Sequence, residues 1–135
     1  MIKKANLLFL ISFFLVLLSC EKTPGEGGTS RIRGKVYVKQ YDPFFTVLEH
    51  EYYGANIKVM ITYGENISPD QNVETNENGE FEFIYLHKGK YKITVYSDVL
   101  VDADYPSGKE SIDTTVTVSD RKQTLDIGVR TIKKN

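Results

Sequence analysis

The chain has no tryptophan, one cysteine and two histidines among 135 residues, and its charges nearly cancel, with 17 Lys and Arg against 18 Asp and Glu. Each shortage removes a class of protein. A lone cysteine, Cys20, cannot close an intrachain disulfide. A net charge of −1 argues against a nucleic-acid partner, because a phosphate backbone needs a basic patch. His50 and His87 are too few and too far apart for a metal cluster. Glu49 and Glu51 flank His50, but on a strand they point away from it. No Gly-rich phosphate loop, no Ser–His–Asp set and no pocketed pair of carboxylates is visible, so neither catalysis nor a cofactor is expected. Beyond residue 30 no apolar stripe of helical period exists either, which leaves an all-β chain.

What is present begins with an address. Lys3 and Lys4 precede an apolar run, Ala5 to Leu18, too short for a bilayer span of about 20 residues. A basic start, a short apolar run and a small residue before a cut describe an export signal over residues 1–19. Leu17-Leu18-Ser19-Cys20 resembles the bacterial lipobox. That resemblance implies cleavage before Cys20, a thioether-linked diacylglyceryl group on its sulfur and usually a further acyl chain, such as palmitate, on its amine. Two or three chains hold a protein to a membrane where one does not. Removing residues 1–19 takes Lys3 and Lys4 away and moves the charge to about −3. The segment Glu21 to Ser30, EKTPGEGGTS, has no apolar residue; it is expected to be a flexible tether between the lipid and a domain spanning 31–132. Residues 133–135 form a solvated tail.

Within the domain, apolar residues alternate. Ile32, Val36 and Val38 share one face of a first strand, with Gly34 marking a bulge or a close backbone approach. Ile57, Val59, Ile61 and Tyr63 share a face of another. Phe81, Phe83 and Tyr85, then Tyr91, Ile93 and Val95, alternate on either side of His87-Lys88-Gly89-Lys90. This pair is expected to form a β-hairpin at the centre of the fold, with Asn78-Gly79 as the turn ahead of it. Ile112, Thr114, Val116 and Val118 line a β-branched strand. Leu125, Ile127 and Val129 line the last, with Gly128 as a bulge. About seven strands at short spacing predict an antiparallel β-sandwich.

Two stretches break the pattern. Asp98 to Glu110 is a polar, acidic excursion whose oxygens could suit calcium, although its spacing is not that of an EF-hand loop. Gln40 to Gly54 concentrates aromatics. Tyr41, Phe44, Phe45, Tyr52 and Tyr53 either cap the open end of the core or form an exposed platform for a protein or a glycan. They are the candidate contact residues.

The frame Gly34-Lys35-Val36-Tyr37, Gly54-Ala55-Asn56-Ile57-Lys58-Val59, Thr75 to Phe83, Leu86, and Gly89-Lys90-Tyr91-Lys92-Ile93-Thr94-Val95 resembles the carboxypeptidase regulatory-like domain. That family is a seven-stranded transthyretin-like (prealbumin-like) sandwich. The resemblance covers Arg31 to Ser97, with Gln40–Gly54 longer than the family's usual first connection. It implies a non-catalytic adhesive, spacer or accessory module and carries no site residues. With the lipobox, it implies attachment to the cell envelope, the expected location being the outer membrane of a Gram-negative bacterium.

Overall fold

The computed structural model describes residues 22–135; the signal segment and Cys20 lie outside the described residues. Eight strands form: β1 (Glu26–Tyr41), β2 (Leu48–Tyr53), β3 (Lys58–Tyr63), β4 (Gln71–Glu74), β5 (Glu80–Leu86), β6 (Gly89–Asp98), β7 (Lys109–Val118) and β8 (Thr124–Lys134). They pack as a sandwich of two four-stranded sheets. One sheet is built on β1, which pairs with β8 along one edge and with β5 and then β2 along the other. The second runs β4-β3-β6-β7. An all-β sandwich is what the alternation predicts, with two differences: eight strands instead of seven, and a parallel pair, β1 with β8, in an otherwise antiparallel arrangement.

Most of the core is the residue set that alternation selects; Leu86 and Ile132 are additions to it. Ile32, Val36, Val38, Phe81, Phe83, Leu86 and Ile132 come from one sheet. Val59, Ile61, Tyr91, Ile93, Val95 and Val118 come from the other, with Ile57 just ahead of β3. Each fully buried aliphatic or Phe side chain contributes roughly 1.5–3 kcal/mol of transfer free energy. That burial selects which face of each strand points inward.

Residues 133 and 134, expected in a solvated tail, are the last of β8 and pair with Lys39 and Gln40, because β1 offers them a free edge. Three further expectations are corrected. First, β5 and β6 are not a hairpin. β5 pairs with β1 and β6 with β3 and β7, so His87-Lys88 carries the chain from one sheet to the other. Alternation requires only one buried face per strand. Strands lying side by side and strands lying face to face across a core both satisfy it.

Second, Tyr85 is 66% exposed while Leu86 is buried. Tyr85 takes a positive φ of 58°, and the register with β1 slips by one residue between Phe83 and Leu86. This is a bulge, and it reverses the phase of the strand end. The same device acts in β8. Gly128, at φ 74°, inserts an extra residue between Asp126 and Val129, so Val129 faces solvent and the half-buried Arg130 takes the inward position opposite Val36. The bulge expected at Gly128 is present; the expected inward Val129 is not.

Third, β1 begins at Glu26, inside the segment read as a tether. Gly25 and Ser30 are buried. The Gly25 amide donates to the Tyr91 hydroxyl at 2.9 Å, and the His87 amide donates to the Gly25 carbonyl at 2.8 Å. The Ser30 hydroxyl donates to the Asp120 carbonyl at 2.8 Å and accepts from the Gln123 amide at 3.1 Å. A segment without apolar side chains packs here through its backbone, because glycine lets other main chain approach closely. Gly28 shows how close: a Cβ there would collide with the Leu86 carbonyl.

Candidate functional site

The 16 residues of β1 run the length of the molecule, at most about 50 Å at 3.3 Å per residue. Its start lies at the pole where the described chain begins. Its end, with β2 and the intervening loop, forms a hairpin at the opposite pole. The two strands pair Tyr37 with Tyr53, Val38 with Tyr52, Lys39 with Glu51 and Gln40 with His50, then shift so that Tyr41 meets Leu48. Every residue of β2 is exposed. The strand is held along one edge only and extends past the point where the core stops.

The Asp42-Pro43 turn that the sequence suggests is built around the Asp42 carboxylate. It accepts the Thr46 and Val47 amides, both at 2.7 Å, and the Thr46 hydroxyl at 2.8 Å. The Val47 amide first, then the two Thr46 groups, hold the Asp42 carboxyl below its ordinary value of 3.8. A depressed acid pKa stabilises the fold above the unfolded value and ceases to do so as pH falls through the folded one. Loop order should therefore be intact at neutral pH and decline below about pH 3.8. Amide exchange at Thr46 and Val47, followed against pH, checks this; protection unchanged down to pH 2 would contradict it.

The five predicted contact residues are all at this hairpin, and they do not form one platform. Residues directly opposite in a sheet share a face and successive ones alternate. On the outer face, Tyr37 packs edge-on to Tyr53 with centroids 5.2 Å apart, and Tyr41 packs on Phe45 at 5.8 Å. Cations complete that row: Lys35 lies over Tyr53 at 5.2 Å, Lys133 over Tyr41 at 5.8 Å, and Lys39 pairs with Glu51 at 3.7 Å. On the other face Tyr52 stacks on His50 at 5.4 Å and donates its hydroxyl to Gln40 at 3.3 Å. Phe44 stands at the tip, 72% exposed. None of the five belongs to the buried core, so capping of the core is not what they do.

Sequence reading missed several neighbours. Val47 and Leu48 are exposed beside Phe44. His50 joins Tyr52 because they are two apart on one strand, a signal the period alone carries. Leu100 and Val101 are exposed in the polar loop between β6 and β7, at the same pole. Nothing periodic marks them. The C-terminal Asn135 joins the two loops, donating its amide to Asp98 at 3.5 Å and its side chain to the Pro43 carbonyl at 3.4 Å.

The acidic loop uses its carboxylates internally. Asp98 pairs with Lys109, and Asp102 accepts the amides of Asp104 and Tyr105. Among the described residues no three His, Cys, Asp or Glu side chains converge as a metal site would require. Arg31, Arg33 and Lys35 on the outer face of β1 pair with Glu82, Asp126 and Glu80. That face is a ladder of exposed ion pairs, each worth about 0–1 kcal/mol, rather than a field of one sign.

No protein-family model matches the chain, and no curated protein matches it. Among solved structures, it is similar to a suggested carbohydrate-binding protein from Pseudomonas aeruginosa, at 16% identity and a TM-score of 0.47, covering 82% of this chain and 91% of that one. It is also similar to a minor pilin of the Gram-positive pathogen Streptococcus agalactiae, at 15% identity and a TM-score of 0.44, covering 84% of this chain and 45% of the pilin. Likeness at this level concerns β architecture and transfers neither residues nor partners.

Proposed function

We propose that this chain is a lipid-anchored, non-catalytic β-sandwich module of the bacterial cell envelope, which makes contact with a protein partner through the β1–β2 hairpin. The observation that carries the reading is the six-residue β2, exposed on both faces, with Phe44 bare at its tip and at the far end of β1 from the Cys20 side. Exposed aromatics supply large, rigid contact area at low entropic cost. The lipobox at Leu17–Cys20 supports the anchor and with it a place in the cell envelope, the outer membrane being the proposed one. The glycine and aromatic frame resembling the carboxypeptidase regulatory-like domain supports an accessory or adhesive role.

The anchor is tested by palmitate labelling of cells producing the chain: Cys20→Ala should abolish incorporation, and unchanged labelling would remove the anchor from the proposal. Contact is tested by adhesion of cells presenting the chain to protein-coated and glycan-coated surfaces. Phe44→Ala should lower adhesion to the protein surface several-fold at unchanged surface level and melting temperature. Equal adhesion of wild type and variant would dismiss the hairpin tip.

A glycan partner is favoured by one feature, the Tyr52 ring stacked on His50 beside the Gln40 amide, which places a flat aromatic face next to hydrogen-bonding groups. On that reading Tyr52→Ala, rather than Phe44→Ala, abolishes adhesion to the glycan surface.

A further inference from the structure

The pole opposite the hairpin carries a cleft of about 590 Å³ between the start of β1 and the β5–β6 crossing, lined by Lys22, Pro24, Gly27 to Ser30, Leu86 to Gly89 and Arg121. Its charged lining is of one sign: Lys22, Lys88 and Arg121, with His87 between, and no Asp or Glu side chain. Lys122 adjoins it, its amide donating to the Thr29 hydroxyl at 3.1 Å. Among the described residues none of these four cations makes an ion pair, as is also the case for Lys58, Lys92, Arg130, Lys133 and Lys134; what sets the cleft apart is that it gathers three of them in one lining without an acid. The acids of this pole are largely occupied elsewhere. Glu65 pairs with Lys90 at 3.2 Å, and Asp70 accepts the Tyr63 amide and the Asn66 side chain. Asp120 and Glu26 remain nearby but do not line the cleft.

Two further features share the pole. The loop between β3 and β4 sits beside Pro24 and presents Ile67, 96% exposed. Tyr85, turned outward by its bulge, is 66% exposed at the end of β5. Covalent distance then matters. Cys20 precedes Lys22 by two residues, a reach of at most about 7 Å. The headgroup layer of a bilayer leaflet is about 5–8 Å deep. Because Gly25 is bonded to Tyr91, the slack that a long tether would provide is absent from Gly25 onward.

We propose that this cleft seats the phosphate of an anionic phospholipid headgroup, and that it docks the domain on the membrane by this pole with β1 pointing away from it. The proposal rests on the anchor reading above. Lys22, Lys88 and Arg121 supply charge-assisted donors to the phosphate, and Ile67 and Tyr85 enter the interface at the rim. The hairpin then stands off the membrane by most of the length of β1.

The test is lysine labelling of the full lipidated chain, reconstituted in vesicles, with a membrane-impermeant amine reagent. In phosphatidylcholine vesicles containing phosphatidylglycerol, labelling of Lys22, Lys88 and Lys122 should fall at least threefold relative to phosphatidylcholine alone. Lys109 and Lys134, at the other pole, should label equally in both. One molar salt should erase the difference, because it shortens the screening length to about 3 Å. Lys88→Glu combined with Arg121→Glu should restore Lys22 and Lys122 labelling in the anionic vesicles. Equal labelling in both vesicle types overturns the docking. Equal protection by millimolar inorganic phosphate in neutral vesicles also overturns it, by making the cleft a free-anion site. Flotation separates this from failure of the anchor: a chain that floats with neutral vesicles yet shows no lipid-dependent protection is anchored but undocked. A chain that fails to float with them has lost the anchor.

Discussion

Replacing Tyr91 by phenylalanine should destabilise the domain by about 1–3 kcal/mol, the cost of leaving buried polar groups without partners. The Tyr91 ring is fully buried, and its hydroxyl accepts from the Gly25 amide at 2.9 Å and donates to the His87 carbonyl at 2.7 Å. Those two bonds fasten the start of β1 to the β5–β6 crossing. Amide exchange at Gly25 and His87 should accelerate with the loss of stability, since the His87 amide also bonds the Gly25 carbonyl. Tyr91→Ala adds a cavity and should cost about 3–5 kcal/mol or more, a large share of a domain's total of about 5–15.

Tyr63 is the internal control. Its ring packs edge-on to Tyr91 at 5.7 Å, but no group among the described residues bonds its buried hydroxyl. Tyr63→Phe removes that desolvated hydroxyl and should therefore not lower stability, raising it by up to about 1 kcal/mol. Urea unfolding of the two Tyr→Phe variants decides the matter; equal losses would mean that the hydroxyl bonds of Tyr91 contribute nothing.

The same pair predicts an alkaline limit. Burial first, then the charges of Glu26 and Asp70, push the Tyr63 hydroxyl up to about 12, and burial raises Tyr91 as well. An acid whose folded pKa is raised contributes stability that is fully present below the unfolded value of 10.0 and lost as pH rises through the folded one. Unfolding free energy should fall between pH 10 and about 12, and less steeply in Tyr63→Phe.

Gly79→Ala should cost about 3 kcal/mol or more, while Gly128→Ala should cost about 1. Both glycines sit at φ 74°. An L-residue there loses roughly 1–2 kcal/mol from steric crowding alone. The environments differ. A Cβ on Gly128 meets nothing within 4 Å, whereas a Cβ on Gly79 would lie 2.6 Å from the Val36 carbonyl oxygen. That oxygen accepts the Gly54 amide at 3.0 Å, and the Val36 amide donates to the Gly79 carbonyl at 2.8 Å. The turn before β5, the end of β2 and the middle of β1 thus meet within one small network. Moving any of them loosens the root of the contact hairpin. Denaturation midpoints of the two alanine variants provide the comparison. Equal midpoints would show that conformational strain, and not the backbone approach, governs Gly79.

Much of this was legible beforehand, for local reasons. The turn at Asn78-Gly79 was readable because Asn76 and Gly79 serve it within five residues: the Asn76 side chain accepts the Asn78 and Glu80 amides, and Gly79 supplies the positive φ. The bulge at Gly128 was readable for the same reason, with Asp126 accepting its amide. Composition marks the aromatic stretch Gln40–Gly54 but not that it pairs as a hairpin. Its division into two faces was not anticipated, because that division depends on the register between Tyr37–Tyr41 and Leu48–Tyr53, set by pairing across the loop.

By itself the sequence determined where most of the core strands lie and which face of most of them is buried, because a period of two is a property of each segment taken alone. Only the tertiary structure decided who pairs with whom. It set β5 and β6 in opposite sheets, turned Tyr85 and Val129 outward, and drew Gly25 to Ser30 into the fold. Each of these rests on main-chain pairing between segments distant in sequence, such as the His87 amide with the Gly25 carbonyl and the Arg31 amide with the Gln123 carbonyl, or the register of β1 with β5 and β8. Backbone donors and acceptors are the same at every residue, so alternation cannot say which of them will meet.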